Sequence, residues 1–106
     1  MTYAPLDIVQ AQFNLRLCND RRPWLIIAVF EDGTFELLPI SAATELFKRQ
    51  KHFWIDPSHP DFPATGLSKA SYVIGDRPIR DSSANFEKRS GCLQGDLAKE
   101  FIEWYG

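Results

Sequence analysis

The amino-acid sequence predicts a mostly-β, α+β fold: a small antiparallel barrel of about five to six strands with a C-terminal helix. Three observations carry this expectation. Residues 24–30, Trp-Leu-Ile-Ile-Ala-Val-Phe, are almost wholly apolar, and Glu31-Asp32-Gly33-Thr34 follows with the Asp-Gly signal of a tight hairpin. Shorter apolar stretches recur downstream, bounded by Gly and Pro. Near the end, Leu97, Phe101, Ile102 and Tyr105 fall at helical spacing and define one face.

Each element has its own signal. Asp7-Ile8-Val9-Gln10-Ala11-Gln12-Phe13 alternates, which predicts a half-buried strand with Ile8 and Phe13 toward the core. Asn14–Asp20 reads as a polar loop carrying Arg16. Trp24–Phe30 reads as a central strand covered on both faces. Phe35–Ile40 is the return strand, and Pro39 marks an irregular end. Ser41–Lys48 reads either as a short helix capped by Ser41 or as a loop. His52-Phe53-Trp54-Ile55 suggests a short strand. Asp56–Pro63 holds Pro57, Pro60 and Pro63 and reads as a surface loop. Ala70–Ile74 and Arg77–Arg80 suggest two more strands, and Ser82–Lys88 a helical turn. Ser90–Leu93 leads into a last helix from about Gln94 to Tyr105.

A length of 106 residues implies one domain with one modest core. Apolar residues make up 44% and charged residues 25%, an ordinary globular balance. No apolar run is long enough to span a membrane, and Met1-Thr2-Tyr3-Ala4-Pro5 does not read as a secretory signal. The cytosol is the default compartment, so Cys18 and Cys92 are expected as reduced thiols. The net charge of −2 argues against broad, sequence-blind nucleic-acid binding but permits a small basic cleft.

The two histidines, His52 and His59, match no zinc pattern and read as exposed loop residues. No P-loop, dinucleotide fingerprint or Ser-His-Asp motif occurs. Asp56 and Asp61 read as solvated carboxylates, and no metal or cofactor is expected.

The residues with chemical promise bracket the predicted hairpin. In an antiparallel pair the start of the first strand lies beside the end of the second. Arg22 and Ser41 should therefore meet. Pro23 holds Arg22 extended, so its guanidinium could fork onto a phosphate, with Ser41 as a neighbouring hydroxyl donor. The plainer alternatives are a solvated edge arginine and a helix-capping serine. The basic residues cluster loosely: Arg16, Arg21 and Arg22; Lys48, Arg49 and Lys51; Arg77 and Arg80; Lys88 and Arg89. Trp24 and Phe53-Trp54 stand close by in sequence. Cations with aromatics that stack on unpaired bases form a pattern for single-stranded RNA.

Several segments, in order, resemble the PemK/MazF toxin family. They are Asp7-Ile8-Val9; Arg22-Pro23 with its aliphatic strand; Pro39-Ile40-Ser41; Gly66-Leu67 with Ser71-Tyr72-Val73; and Gly91-Cys92-Leu93 before the last helix. Together they span roughly residues 6–105. Leu6 stands where the family pattern has glycine, and Ser41 where it has threonine. The resemblance implies the SH3-like, CcdB-type toxin barrel, a homodimer, and metal-independent, sequence-specific cleavage of single-stranded RNA. The products would be a 2′,3′-cyclic phosphate and a 5′-hydroxyl. It implies catalytic roles for Arg22 and Ser41, and inhibition by an antitoxin with an acidic, initially disordered tail. Arg16, Arg21, Trp24, Lys48, Arg49, Lys69 and Arg77 are the expected RNA contacts. A different class of reading is a non-enzymatic protein-binding module on the same barrel, resembling a gyrase poison and using residues near Trp104-Tyr105. A catalytically inactive relative is a third.

Overall fold

The structure is a computed structural model, and it describes residues 3–12, 21–42 and 52–106. The expectations for Phe13, the loop 14–20 with Arg16 and Cys18, and the segment 43–51 with Lys48 and Arg49 lie outside the described residues.

The described chain forms seven strands and one α-helix. The strands are β1 (Asp7–Ala11), β2 (Arg22–Val29), β3 (Thr34–Ala42), β4 (His52–Ile55), β5 (Ser71–Ile74), β6 (Ile79–Ser82) and β7 (Phe86–Cys92), followed by α1 (Gly95–Tyr105). The sheet runs β4-β5-β3-β2-β1-β7, with β6 paired to the first half of β3. Every strand pairing among the described residues is antiparallel.

The β2–β3 hairpin forms as its turn residues dictate. Gly33 sits at φ +86°, a backbone region that an L side chain rarely adopts. Asp32 accepts hydrogen bonds from the Thr34 backbone N–H at 3.0 Å and the Thr34 hydroxyl at 2.6 Å. Arg80 reaches across from β6 to Asp32 at 3.0 Å and lays its guanidinium 3.8 Å from the centre of the Phe30 ring.

Two apolar clusters lie on opposite faces of the sheet. One gathers Ile8, Leu25, Leu38, Ile40, Phe53, Ile55 and Val73 beneath Leu97 and Phe101 of α1. The other gathers Val9, Ala11, Trp24, Ile26, Phe35 and Leu37, with Tyr3, Ile79 and Phe86 packed against it. In β1, β2 and β3, successive side chains go to the two clusters in turn. Strand β1 is therefore buried on both faces, where its sequence predicted one.

Other expectations need correction. Pro39 does not end β3. It lies opposite Trp24, and the strand continues through Ile40–Ala42 on a second partner, β5. Ser41 is accordingly a strand residue rather than a helix cap. Strand β7 had no apolar signature because it is an edge strand, paired to β1 alone, with Glu87, Lys88 and Arg89 exposed. The helical turn expected there shrinks to a 3-10 turn at Ser83–Asn85. His52 is a half-buried strand residue, not a loop residue. His59 is largely covered, with its Nε2 2.8 Å from Glu100 of α1 and its Nδ1 accepting the Asp61 backbone N–H at 3.0 Å.

Glycines mark two close approaches of backbone to backbone. A Cβ on Gly66 would stand 2.1 Å from the carbonyl oxygen of Ser90 in β7, and one on Gly91 would stand 2.2 Å from that of Ala64. These two glycines let the 3-10 turn Pro63–Thr65 lie directly on β7. Leu6 is the counter-example. It holds φ +73° despite its side chain, its N–H donating to Ile26 and its carbonyl accepting from Leu93. Among the described residues no helix is long and apolar enough to cross a membrane. Cys92 is a free thiol.

Candidate functional site

The register of the hairpin decides where Arg22 and Ser41 stand. Leu25 opposes Leu38 and Trp24 opposes Pro39, the last pair of the β2–β3 register, and the same register carried two residues further would set Arg22 opposite Ser41. Directly opposed residues of an antiparallel pair share a face. Arg22 shares the face of Trp24, and Ser41 that of Leu37, so both stand at the same end of the hairpin on the face away from α1.

The row extends across the sheet. Ser41 opposes Tyr72 of β5, Tyr72 opposes Trp54 of β4, and on the other side Arg22 opposes Ala11 of β1. With strands about 4.8 Å apart, this sets an aromatic wall two strands from Ser41. The Trp54 and Tyr72 rings are 4.9 Å apart, and the His52 ring is 5.5 Å from Tyr72. Asp56 closes the turn after β4, accepting from the backbone N–H and the hydroxyl of Ser58, each at 2.9 Å. The Ser58 bonds hold its carboxyl below the usual carboxylate range.

Arg22 and Ser41 are both half-buried, and the Arg22 Nε is shielded from solvent. A guanidinium held in this way presents its outer nitrogens in a fixed direction. Beside it stands a hydroxyl that can donate to the same group. A guanidinium and a hydroxyl on one face are the donor types that suit a tetrahedral or trigonal-bipyramidal oxyanion such as a phosphate.

The remaining expected contacts divide. Trp24 points to the same face as Arg22 but is only 2% exposed, enclosed between Val9 and Ile26 of the second cluster. Its ring is core, so the expectation that it stacks on a base is corrected. Alternation along β4 picks out Trp54 instead: Phe53 and Ile55 go to the core, while His52 and Trp54 face the Ser41 side. That two-residue period was visible in the sequence. The alignment of β4 with Ser41 through β5 was not. Arg21 forms an ion pair with Glu87 at 3.0 Å and lines a cleft on the α1 side of the strand ends, near which Lys69 also lies. Neither shares the face of Arg22. Arg77 is exposed in the turn between β5 and β6. Asp56 and Asp61 part company: Asp61 lies at the start of α1, accepting from the Leu97 N–H at 3.4 Å. Among the described residues no group of three His, Cys, Asp or Glu side chains could hold a metal ion.

The antiparallel sheet with one covering C-terminal helix is a fold this chain shares with solved toxins. Mycobacterium tuberculosis toxin MazF-mt6 superposes with a TM-score of 0.68 at 19% identity, over 94% of this chain and 92% of that one. The crystal structure of an Mtb toxin superposes with a TM-score of 0.64 at 17% identity, over 93% of this chain and 96% of that one. The sequence matches no family model and no curated protein.

Proposed function

We propose that this chain is a sequence-specific, metal-independent endoribonuclease toxin of a toxin–antitoxin system. The carrying observation is that Arg22 and Ser41 stand on one face of the sheet at the same end of the β2–β3 hairpin. The fold shared with solved toxins supports the reading, as does the order of the motifs that resemble the PemK/MazF family.

In this reading the RNA 2′-oxygen attacks the neighbouring phosphorus. The new O2′–P bond forms as the P–O5′ bond breaks, and the proton of the 2′-hydroxyl ends on the departing 5′-oxygen. The products are a 2′,3′-cyclic phosphate and a 5′-hydroxyl. The nucleophile belongs to the substrate, so the protein need supply only position and charge. Arg22 neutralises the extra negative charge on the pentacoordinate phosphate. A guanidinium stays protonated at physiological pH, so it does so as a fixed cation rather than as a base. Ser41 donates a hydrogen bond to a non-bridging oxygen. Trp54, packed against the Tyr72 ring, offers an aromatic surface for a flanking base. Arg16, Lys48, Arg49 and Arg77 are further RNA contacts. The chain acts as a cytoplasmic homodimer, held in check by an antitoxin whose acidic tail occupies the same face.

The test is a long RNA incubated with pure protein in EDTA, followed by analysis of the new ends. Arg22→Ala should lower the cleavage rate by about 10²–10³-fold, the usual cost of losing one preorganised donor, without moving the unfolding midpoint. A folded Arg22→Ala variant that cuts as fast as wild type overturns the assignment.

A second reading draws on α1. Ile102 is 56% exposed and Tyr105 41%, an apolar strip on the outer side of the helix. A protein-binding module would use it. Trp104, the other residue of that reading, is occupied instead by packing against Phe53 and Phe101. This reading predicts no RNA cleavage, and loss of partner binding on Ile102→Lys.

A further inference from the structure

The reverse side of the same strand ends carries a second polar surface. Two adjoining cavities, of about 470 and 180 Å³, share Gln10 and Gly66 in their walls. The larger is lined by Arg21, Lys88 and Arg89, with Glu87 as its one carboxylate; the smaller adds Lys69. Pro23 and Ala42, the neighbours of Arg22 and Ser41, line the smaller cavity. Side chains alternate along a strand, so this groove lies behind Arg22 and Ser41, at the same end of the sheet.

Four cations to one carboxylate is a marked local excess on a chain of net charge −2. Two of these cations are already engaged, Arg21 by Glu87 and Arg89 by the buried Asp7, each at 3.0 Å. Lys69 and Lys88 are exposed and make no ion pair among the described residues. The Ser90 hydroxyl, also in the wall, is buried and has no hydrogen-bond partner among the described residues. A polar atom removed from water and left without a partner in a basic groove suits a ligand that accepts hydrogen bonds.

We propose that this groove is a second phosphate-binding surface, which takes the sugar–phosphate backbone of the RNA flanking the cleaved bond. The inference rests on the nuclease reading above. The strand would cross the end of the sheet, with the scissile phosphate between Arg22 and Ser41 and an adjacent stretch behind it. Lys69 and Lys88 supply the free charge, and Gln10 and Ser90 supply neutral hydrogen bonds. Backbone contacts of this kind set affinity and register without reading sequence.

The test uses the full chain carrying Arg22→Ala, to suppress cleavage, and a single-stranded RNA of about twenty nucleotides. Each phosphate contact contributes about 0.7 to the slope of log affinity against log salt for a single strand. Lys69→Ser with Lys88→Ser should therefore lower that slope by about 1.4. Between about 50 and about 200 mM salt, the parent then loses about sevenfold more affinity than the double variant. Both lysines are exposed, and a thermal melt checks that the variant folds. An unchanged slope, with RNA still cut by wild type, overturns the groove and leaves the nuclease reading standing. Unchanged RNA binding with weakened binding of a poly-glutamate peptide assigns the groove to an acidic peptide and overturns the proposal. A folded wild type that neither binds nor cuts RNA overturns both.

Discussion

Ser41 shows how much a single side chain can depend on its neighbours across a sheet. In the proposed reaction its hydroxyl acts with the Arg22 guanidinium, which comes from nineteen residues earlier in the chain. If the pair acts together, Ser41→Ala should slow RNA cleavage by about 10²-fold. Ser41→Thr should keep the rate, because threonine retains the donor and adds a methyl that restricts its rotamer. Equal rates for Ser41→Ala and wild type would remove the hydroxyl from the mechanism. Gly91 makes a different kind of demand. An added methyl would press into the backbone of Ala64 and Thr65, which have no flexible end to move aside. Gly91→Ala should therefore cost about 1–3 kcal/mol, the range for overpacking, read as a lower urea midpoint. Leu6 carries a related strain. Its φ of +73° suits glycine, the residue the family pattern has there, but its side chain packs against the first cluster.

At the scale of elements, the turns are held by carboxylates. Asp32 organises the β2–β3 turn through Thr34 and Arg80, and Asp56 organises the turn after β4 through Ser58. Both carboxyls are held below their usual range, chiefly by hydrogen bonds from Thr34 and Ser58 respectively. A carboxyl with a lowered folded-state pKa adds stability that is full above its unfolded value. That stability is lost as pH falls through the folded value. The urea midpoint should thus hold steady from neutral pH down to about pH 5 and drop below about pH 4. Asp32→Asn with Asp56→Asn should flatten part of that drop, and an identical acid profile in the double variant would show that these turns do not carry it. The hairpin and α1 were legible in the sequence, since each repeats its apolar pattern long enough to reveal its period. Strand β7 was not legible. Its Glu87-Lys88-Arg89 run faces water along an edge, and only its pairing with β1 makes it a strand.

At the scale of the whole molecule, the fold is tied together by contacts distant in sequence. Strand β1 pairs with β7 about eighty residues later, and the Leu6 carbonyl accepts from the Leu93 N–H at the approach to α1. Such topologies pay loop-closure entropy before long-range contacts repay it. Refolding followed by tryptophan fluorescence should therefore take milliseconds to seconds, the range of sheet proteins of this size. A microsecond phase carrying the full amplitude would contradict this. The molecule also separates its chemistry by face. One side of the strand ends carries Arg22, Ser41 and the Trp54–Tyr72 wall. The other carries Lys69, Lys88 and the groove that also holds Arg21. Basic residues that look like one loose set along the chain thus divide into two surfaces.

The sequence by itself determined the local elements: the hairpin through its apolar runs and Asp-Gly turn, and the last helix through its spacing. These follow from periodicity and turn chemistry, which act over a few residues. Only the tertiary structure decided that Trp24 is core, that Trp54 joins the Ser41 row, and that Arg21 and Lys69 face the other way. Those outcomes depend on which strands become neighbours and which face each one buries. That is decided by packing between segments far apart in the chain.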